Sequence, residues 1–263
     1  MLMRTLAAAA TATALLLANG CAHAIGGAVD VKVVDRTTGE TLPLSWHDGK
    51  WWVPGRPGNR YAVALANRGS ARVLTVISVD GINVISGETA APEQSGYVLA
   101  AGQSAQITGW RKNLSRVAAF EFTALPNSYA ARTGRPDHVG VIGVAVFREK
   151  VRHVPPPVLL EKPSRSEAPS PAAPAADAIG SAEAARRGQR AQESRLGTGH
   201  GRSEHSATSY TDFERASAAP DEVIAIHYDS RDNLIAMGVI PVPRGTPNPF
   251  PAAVGFVPDP PRR

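Results

Sequence analysis

The sequence predicts an all-β fold, an antiparallel β-sandwich of immunoglobulin-like or jelly-roll type, and three observations carry that expectation. Apolar residues alternate with period two: Tyr61, Val63 and Leu65 share one face, and Val73, Thr75, Ile77 and Val79 share one in the next run, as in strands with one buried side. Asp80-Gly81 separates VLTVISV from INVI. An Asp-Gly pair between β-branched runs signals a hairpin, because both residues tolerate the positive φ of a type I′ turn. Turn residues then recur about every eight to twelve positions, giving about eight short strands in roughly 125 residues, with no alternation of strands and long helices that would mark a parallel α/β sheet.

The chain opens with the pattern of an export signal. Arg4 supplies the positive start, LAAAATATALLLA an apolar stretch too short to span a bilayer, and Ala22-His23-Ala24 the small-x-small cleavage site. Residues 1–24 therefore read as a signal peptide and Ile25 as the mature start, with a periplasmic or secreted destination. The alternative is a membrane-tethered lipoprotein acylated at Cys21. Gly20 suits that processing, whereas Ala18 and Asn19 match its preferences less well. Cys21 is the only cysteine, so the mature chain holds no disulfide even where its compartment permits one, and its stability rests on apolar burial. No later run approaches the roughly 18 apolar residues of a membrane span. With 28 basic and 23 acidic residues, scattered and not interleaved with aromatics, the chain is not expected to bind nucleic acid.

Residues 25–153 form the expected sandwich domain. Val29, Val31 and Val33 alternate along a first strand that ends at the turn Thr37-Thr38-Gly39-Glu40. His47-Asp48-Gly49-Lys50 is a second turn, between Trp46 and Trp51-Trp52. Beyond the Asp80-Gly81 hairpin come YVL, SAQITGW and RVAAFEF, the last with Val117, Ala119 and Glu121 on one side and Ala118, Phe120 and Phe122 on the other. Ser128 to Gly134 reads as one helical turn with Ser128 as its cap. VGVIGVAVF, residues 139–147, is almost continuously apolar and reads as a central strand.

At Val154-Pro155-Pro156-Pro157 the composition turns to Pro, Ala and Ser. Residues 154–195 have too little apolar surface to offset the entropy of ordering them, and they read as a long disordered Pro/Ala-rich linker. In residues 196–242, LGTGHGRSEHSATSYTDFERAS is polar and Gly-rich, with Tyr210 and Phe213 as apolar anchors and glycines that suggest loop around His200; EVIAIHY reads as a strand, and RDNLIAM as a short helix or the second arm of a hairpin. That piece is too small to stand alone. It is expected to pack back on the sandwich as a small β/α element that adds a strand. Residues 243–263 are a Pro-rich tail.

Functional signals are sparse. Trp46, Trp51 and Trp52 are candidate ligand-binding residues, since sugars stack on exposed coplanar indoles; closure of one end of the core is the competing role for such large apolar rings. His200, Glu204, His205 and His227 carry ligand chemistry for Zn²⁺, although their spacing matches neither H-E-x-x-H nor H-x-x-E-H. Gly197-Thr198-Gly199-His200-Gly201 lacks the Lys and the following helix of a phosphate-binding loop, and no G-x-S-x-G elbow is present. The expectation is an exported, non-enzymatic binding or structural module of the cell envelope or exterior, with no cofactor and with an unknown envelope protein or glycan as partner. The alternatives are a metal-dependent or hydrolytic enzyme built on the histidine cluster, and a lipid-tethered scaffold.

Overall fold

The computed structural model describes residues 25–151 and 195–242. The predicted signal peptide with Cys21, the Pro/Ala-rich linker through residue 194 and the tail from residue 243 lie outside the described residues. In chain order the strands are β1 (Val29–Asp35), β2 (Ser45–His47), β3 (Lys50–Gly55), β4 (Arg60–Asn67), β5 (Val73–Val79), β6 (Ile82–Asn83), β7 (Tyr97–Leu99), β8 (Ser104–Ile107), β9 (Gly109–Asn113), β10 (Arg116–Ala124), β11 (Val141–Arg148), β12 (Leu196–His205) and β13 (Glu222–Ser230). Two short helices, α1 (Tyr129–Arg132) and α2 (Arg231–Ala236), follow β10 and β13.

The alternation read from the sequence is the alternation that builds the layers. Val29, Val31 and Val33 of β1 pair in register with Asn67, Leu65 and Val63 of β4, and these apolar side chains are buried. The Asp80-Gly81 turn has φ of 54° and 71° and closes the β5–β6 hairpin in the expected register, Val79 opposite Ile82. Asp48 and Gly49, at 47° and 72°, do the same between β2 and β3. The Ser128 hydroxyl accepts from the Ala131 N–H at 3.1 Å and caps α1. Ser230 caps α2 through the Asn233 N–H, so the segment after β13 is the helix and not the hairpin arm.

A six-stranded sheet runs β1-β4-β10-β12, with β8 on β4 and β9 on β10. Beyond the short contact of Tyr61 and Arg60 with Phe120 and Glu121, β4 and β10 diverge, and the continuous run of β8 and β9 fills the fork between them. A seven-stranded sheet runs β2-β3-β13-β11-β5-β6, with β7 also on β5. Side chains of both sheets meet in one apolar cluster. At its centre the Tyr61 ring stacks on Phe122 at 4.2 Å and on Phe120 at 5.3 Å. A second, smaller cluster lies on the outer side of the seven-stranded sheet, where Leu74, Val76, Ala145 and Phe147 are covered by Phe213, and the Arg215 guanidinium sits 4.1 Å from the centre of the Phe147 ring.

Residues 195–242 enter this architecture more deeply than an added strand. β12 extends the six-stranded sheet beside β10, while β13 lies inside the seven-stranded sheet, antiparallel to β11 on one side and parallel to β3 on the other. The β3–β13 pair departs from a purely antiparallel sandwich. LGTGHGRSEH is therefore a strand of ten residues and not a loop. Two of its three glycines stand where a side chain has no room: a Cβ on Gly197 would lie 2.7 Å from Ser128 Cβ and 2.8 Å from Val139 Cγ1, and one on Gly201 would lie 2.7 Å from the Ala119 carbonyl oxygen. Close approach, not turn geometry, requires them.

Two outcomes are expected. A chain cut once between residues 152 and 194 stays a single species on gel filtration, because β13 is bonded on both edges; separation of the fragment containing β12 and β13 would contradict this arrangement. Gly55→Ala places a methyl 2.4 Å from Leu196 Cδ2 and 2.8 Å from the Phe122 ring. Overpacking of that kind costs about 1–3 kcal/mol in urea unfolding.

Candidate functional site

The β2–β3 hairpin forms the free edge of the seven-stranded sheet and carries three of the chain's four tryptophans. Trp46 and Trp51 are directly opposed across the hairpin and so share a face. Their rings lie 4.9 Å apart at 58° to one another. Trp46 keeps 59% of its surface exposed, while Trp51 is half-buried against the core. Trp52, the next residue, points to the opposite face, where its ring sits 5.0 Å from His227, its register partner on β13. The Trp52 indole N–H is buried and meets no acceptor among the described residues. The three rings are thus split between the two faces, and the pair sharing a face is tilted, so the coplanar platform that sugar stacking asks for is not formed.

Beside Trp46 and Trp51 is an open cleft of about 360 Å³, lined also by Ile25, Lys50, Val223 and Ala225. Val223, on the outward side of β13, is 67% exposed. Polar groups at this cleft are few. The Glu222 carboxylate is taken by the N–H groups of Gly27 and Ala28, at 2.6 and 3.0 Å, and so pins the entry of the chain into the fold. Burial and the Lys50 charge lower the affinity of His227 for a proton, which leaves a neutral ring at pH 7. What the cleft offers a ligand is apolar contact beside one exposed ammonium group. A second cleft, of about 300 Å³, lies on the outer side of the six-stranded sheet over Ala64 and Ala66, between Lys32 and Gln106.

The four candidate zinc ligands are not brought together. His200 and His205 lie on β12 of one sheet and His227 on β13 of the other. His200 packs near Tyr129 and Trp110, and His227 packs on Trp52. Glu204 reaches across β10, where its two oxygens accept from Arg36 Nη1 at 2.7 Å and Arg60 Nη1 at 2.6 Å. Among the described residues no group of three His, Cys, Asp or Glu side chains is arranged to hold a metal. The convergence that a metal-dependent enzyme at these residues requires is absent, because a strand spaces its same-face side chains along its length and the two strands belong to opposite layers. Cys21, the lipidation candidate, lies outside the described residues.

A group of four polar side chains that the sequence did not single out lies inside the core. Asp80, Thr198, Tyr228 and Tyr61 are each at most 1% exposed. The Thr198 hydroxyl is 2.6 Å from both the Tyr61 and the Tyr228 hydroxyl, and the Tyr228 hydroxyl donates to Asp80 Oδ1 at 2.5 Å. Burial, with the Asp80 charge beside them, pushes both phenols well above their ordinary range, so they are neutral hydrogen-bonding groups. Asp80 was legible as a turn residue, but nothing in an Asp-Gly pair says which way the carboxylate points. The two tyrosines were legible only as apolar positions of strands.

The chain matches no protein-family model, no curated protein and no solved structure. No helix among the described residues is long and apolar enough to cross a membrane.

Burial alone would raise the Glu204 carboxyl, but its hydrogen bonds to Arg36 and Arg60 outweigh that and bring it below its ordinary value of 4.5. A lowered carboxyl stabilises the fold above the unfolded value, and that contribution is lost as pH falls through the folded one. Glu204→Gln is therefore expected to cost about 1–2 kcal/mol at pH 7. The difference from wild type should shrink to nothing in acid; a constant difference across a pH series of urea melts would refute the assignment.

Proposed function

We propose that the chain is an exported, non-enzymatic binding module of the cell envelope or exterior, and that the cleft beside Trp46 and Trp51 is its recognition surface. One observation carries the reading: Trp46 leaves 59% of its surface in water next to a half-buried Trp51 and a cleft of about 360 Å³. A large apolar side chain left uncovered forgoes roughly 1.5–3 kcal/mol of burial, and uncovered apolar patches mark interaction sites. Val223 on the neighbouring central strand widens that surface. The export pattern of residues 1–24 supports an envelope or extracellular location, and an envelope protein or glycan is the partner class. The 58° tilt between the indoles disfavours a flat sugar face across both rings and favours a ligand that wedges against Trp46 alone.

Retention of the purified chain by an envelope fraction of the exporting cell, read by co-sedimentation, tests this. Trp46→Ala is expected to weaken retention about thirtyfold, the loss typical of an aromatic hot spot, with an unchanged melting temperature. Leu114→Ala, at the distant β9–β10 turn and 44% exposed, should leave retention as it is. Equal retention of wild type and Trp46→Ala would sink the assignment.

A further inference from the structure

Asp80 stands where the last two strands meet the rest of the sandwich. Its left-handed backbone, φ 54°, turns the carboxylate inward from the end of β5. There Oδ1 accepts from the Tyr228 hydroxyl at 2.5 Å and the Gly140 N–H at 2.9 Å, and Oδ2 accepts from the Thr198 N–H at 2.8 Å. Thr198 belongs to β12 and Tyr228 to β13, so one carboxylate grips both strands of the returning segment. Gly140 leads into β11, and the Thr198 hydroxyl carries the chain of bonds on to Tyr61 of β4.

Among the described residues no cation is bonded to the carboxylate. Arg195, immediately before β12, gives its guanidinium to the Val139 carbonyl at 2.9 Å. His138 packs against Gly81 from an exposed position. Asp229, a buried carboxylate of the returning segment, is held by the N–H groups of Leu196 and Ser230 and by the Asn233 amide. Tyr61 and Tyr228 are neutral. Three hydrogen bonds satisfy Asp80 Oδ1 and Oδ2, while the apolar walls around it oppose ionisation.

We propose that residues 195–242 form a clasp whose grip on the sandwich is set by the protonation of Asp80: tight in mildly acidic surroundings and looser once the carboxyl is ionised. The direction follows from linkage. Burial raises the Asp80 carboxyl from 3.8 to about 6 in the closed fold, against the pull of the bonds from Tyr228, Gly140 and Thr198. With the clasp open, Asp80 reaches water and returns to its ordinary value. A group whose folded value is raised binds its proton more tightly when closed, so opening releases a proton between those two values. Closure is then favoured most below about pH 4, weakens as pH rises to about 6, and is constant above that.

Hydrogen exchange of the full-length chain at pH 4.5 and 7, corrected for the intrinsic rates, reads the opening of each strand. The opening constant of β12 and β13 is expected to be about ten- to thirtyfold larger at pH 7. β1 and β4 should change by less than about threefold, and Asp80→Asn should remove the difference. Should Asp80→Asn not fold, Tyr228→Phe takes its place: loss of the phenol donor moves the pH at which opening increases upward. The proposal is overturned by an opening constant that does not change with pH, by an equal change in β1 and β4, by a change that persists in Asp80→Asn, or by an unmoved transition in Tyr228→Phe.

Discussion

A strand inside a sheet must find backbone partners on both edges, and here β3 and β11 find them in the same place. β13 supplies a parallel ladder to β3 and an antiparallel one to β11. Without it, the β2–β3 hairpin would be detached from the rest of its sheet, and two rows of polar backbone groups would face each other across a gap over the apolar core, each unmet group costing about 1–3 kcal/mol. The returning segment is for that reason built into the middle of the seven-stranded sheet, although much of the chain separates it from β3 and β11 in sequence. β13 also carries Tyr228, whose ring packs against Phe122 and Tyr61 of the aromatic stack.

Two carboxylates hold the returning segment, and they do so by opposite physics. Glu204 lies on the outside of the six-stranded sheet between two guanidinium groups, where charge is stabilised. Asp80 lies inside, among neutral donors, where charge is resisted. Glu204 spans from β12 to Arg36, next to the end of β1, and to Arg60 of β4. Both devices join the last strands to β4 and β5, elements formed long before them in the chain.

Much of the layered architecture was legible because its cause is local. Alternation in β1, β4 and β5 follows from the two-residue repeat of a strand, and both Asp-Gly turns follow from residues that accept positive φ. β12 was misread because its glycines answer to Ser128, Val139 and Ala119, neighbours supplied by other elements and invisible in a window of ten residues. The central position of β13 was equally hidden, since EVIAIHY reads the same at an edge as in the middle. Of the candidate site, the tryptophan hairpin was visible and its split between two faces was implied by adjacency of Trp51 and Trp52. The scattering of His200, Glu204 and His227 was not visible, because sequence proximity carries no information on which sheet a strand joins.

The placement of β13 bears on how the protein comes into being. A polypeptide that emerges from its amino terminus presents β3 and β11 well before the strand that belongs between them. The seven-stranded sheet cannot be completed until synthesis has delivered residue 230. A product that terminated early would retain two adhesive edges and be drawn into aggregation or degradation, so the fold itself discriminates complete chains from incomplete ones.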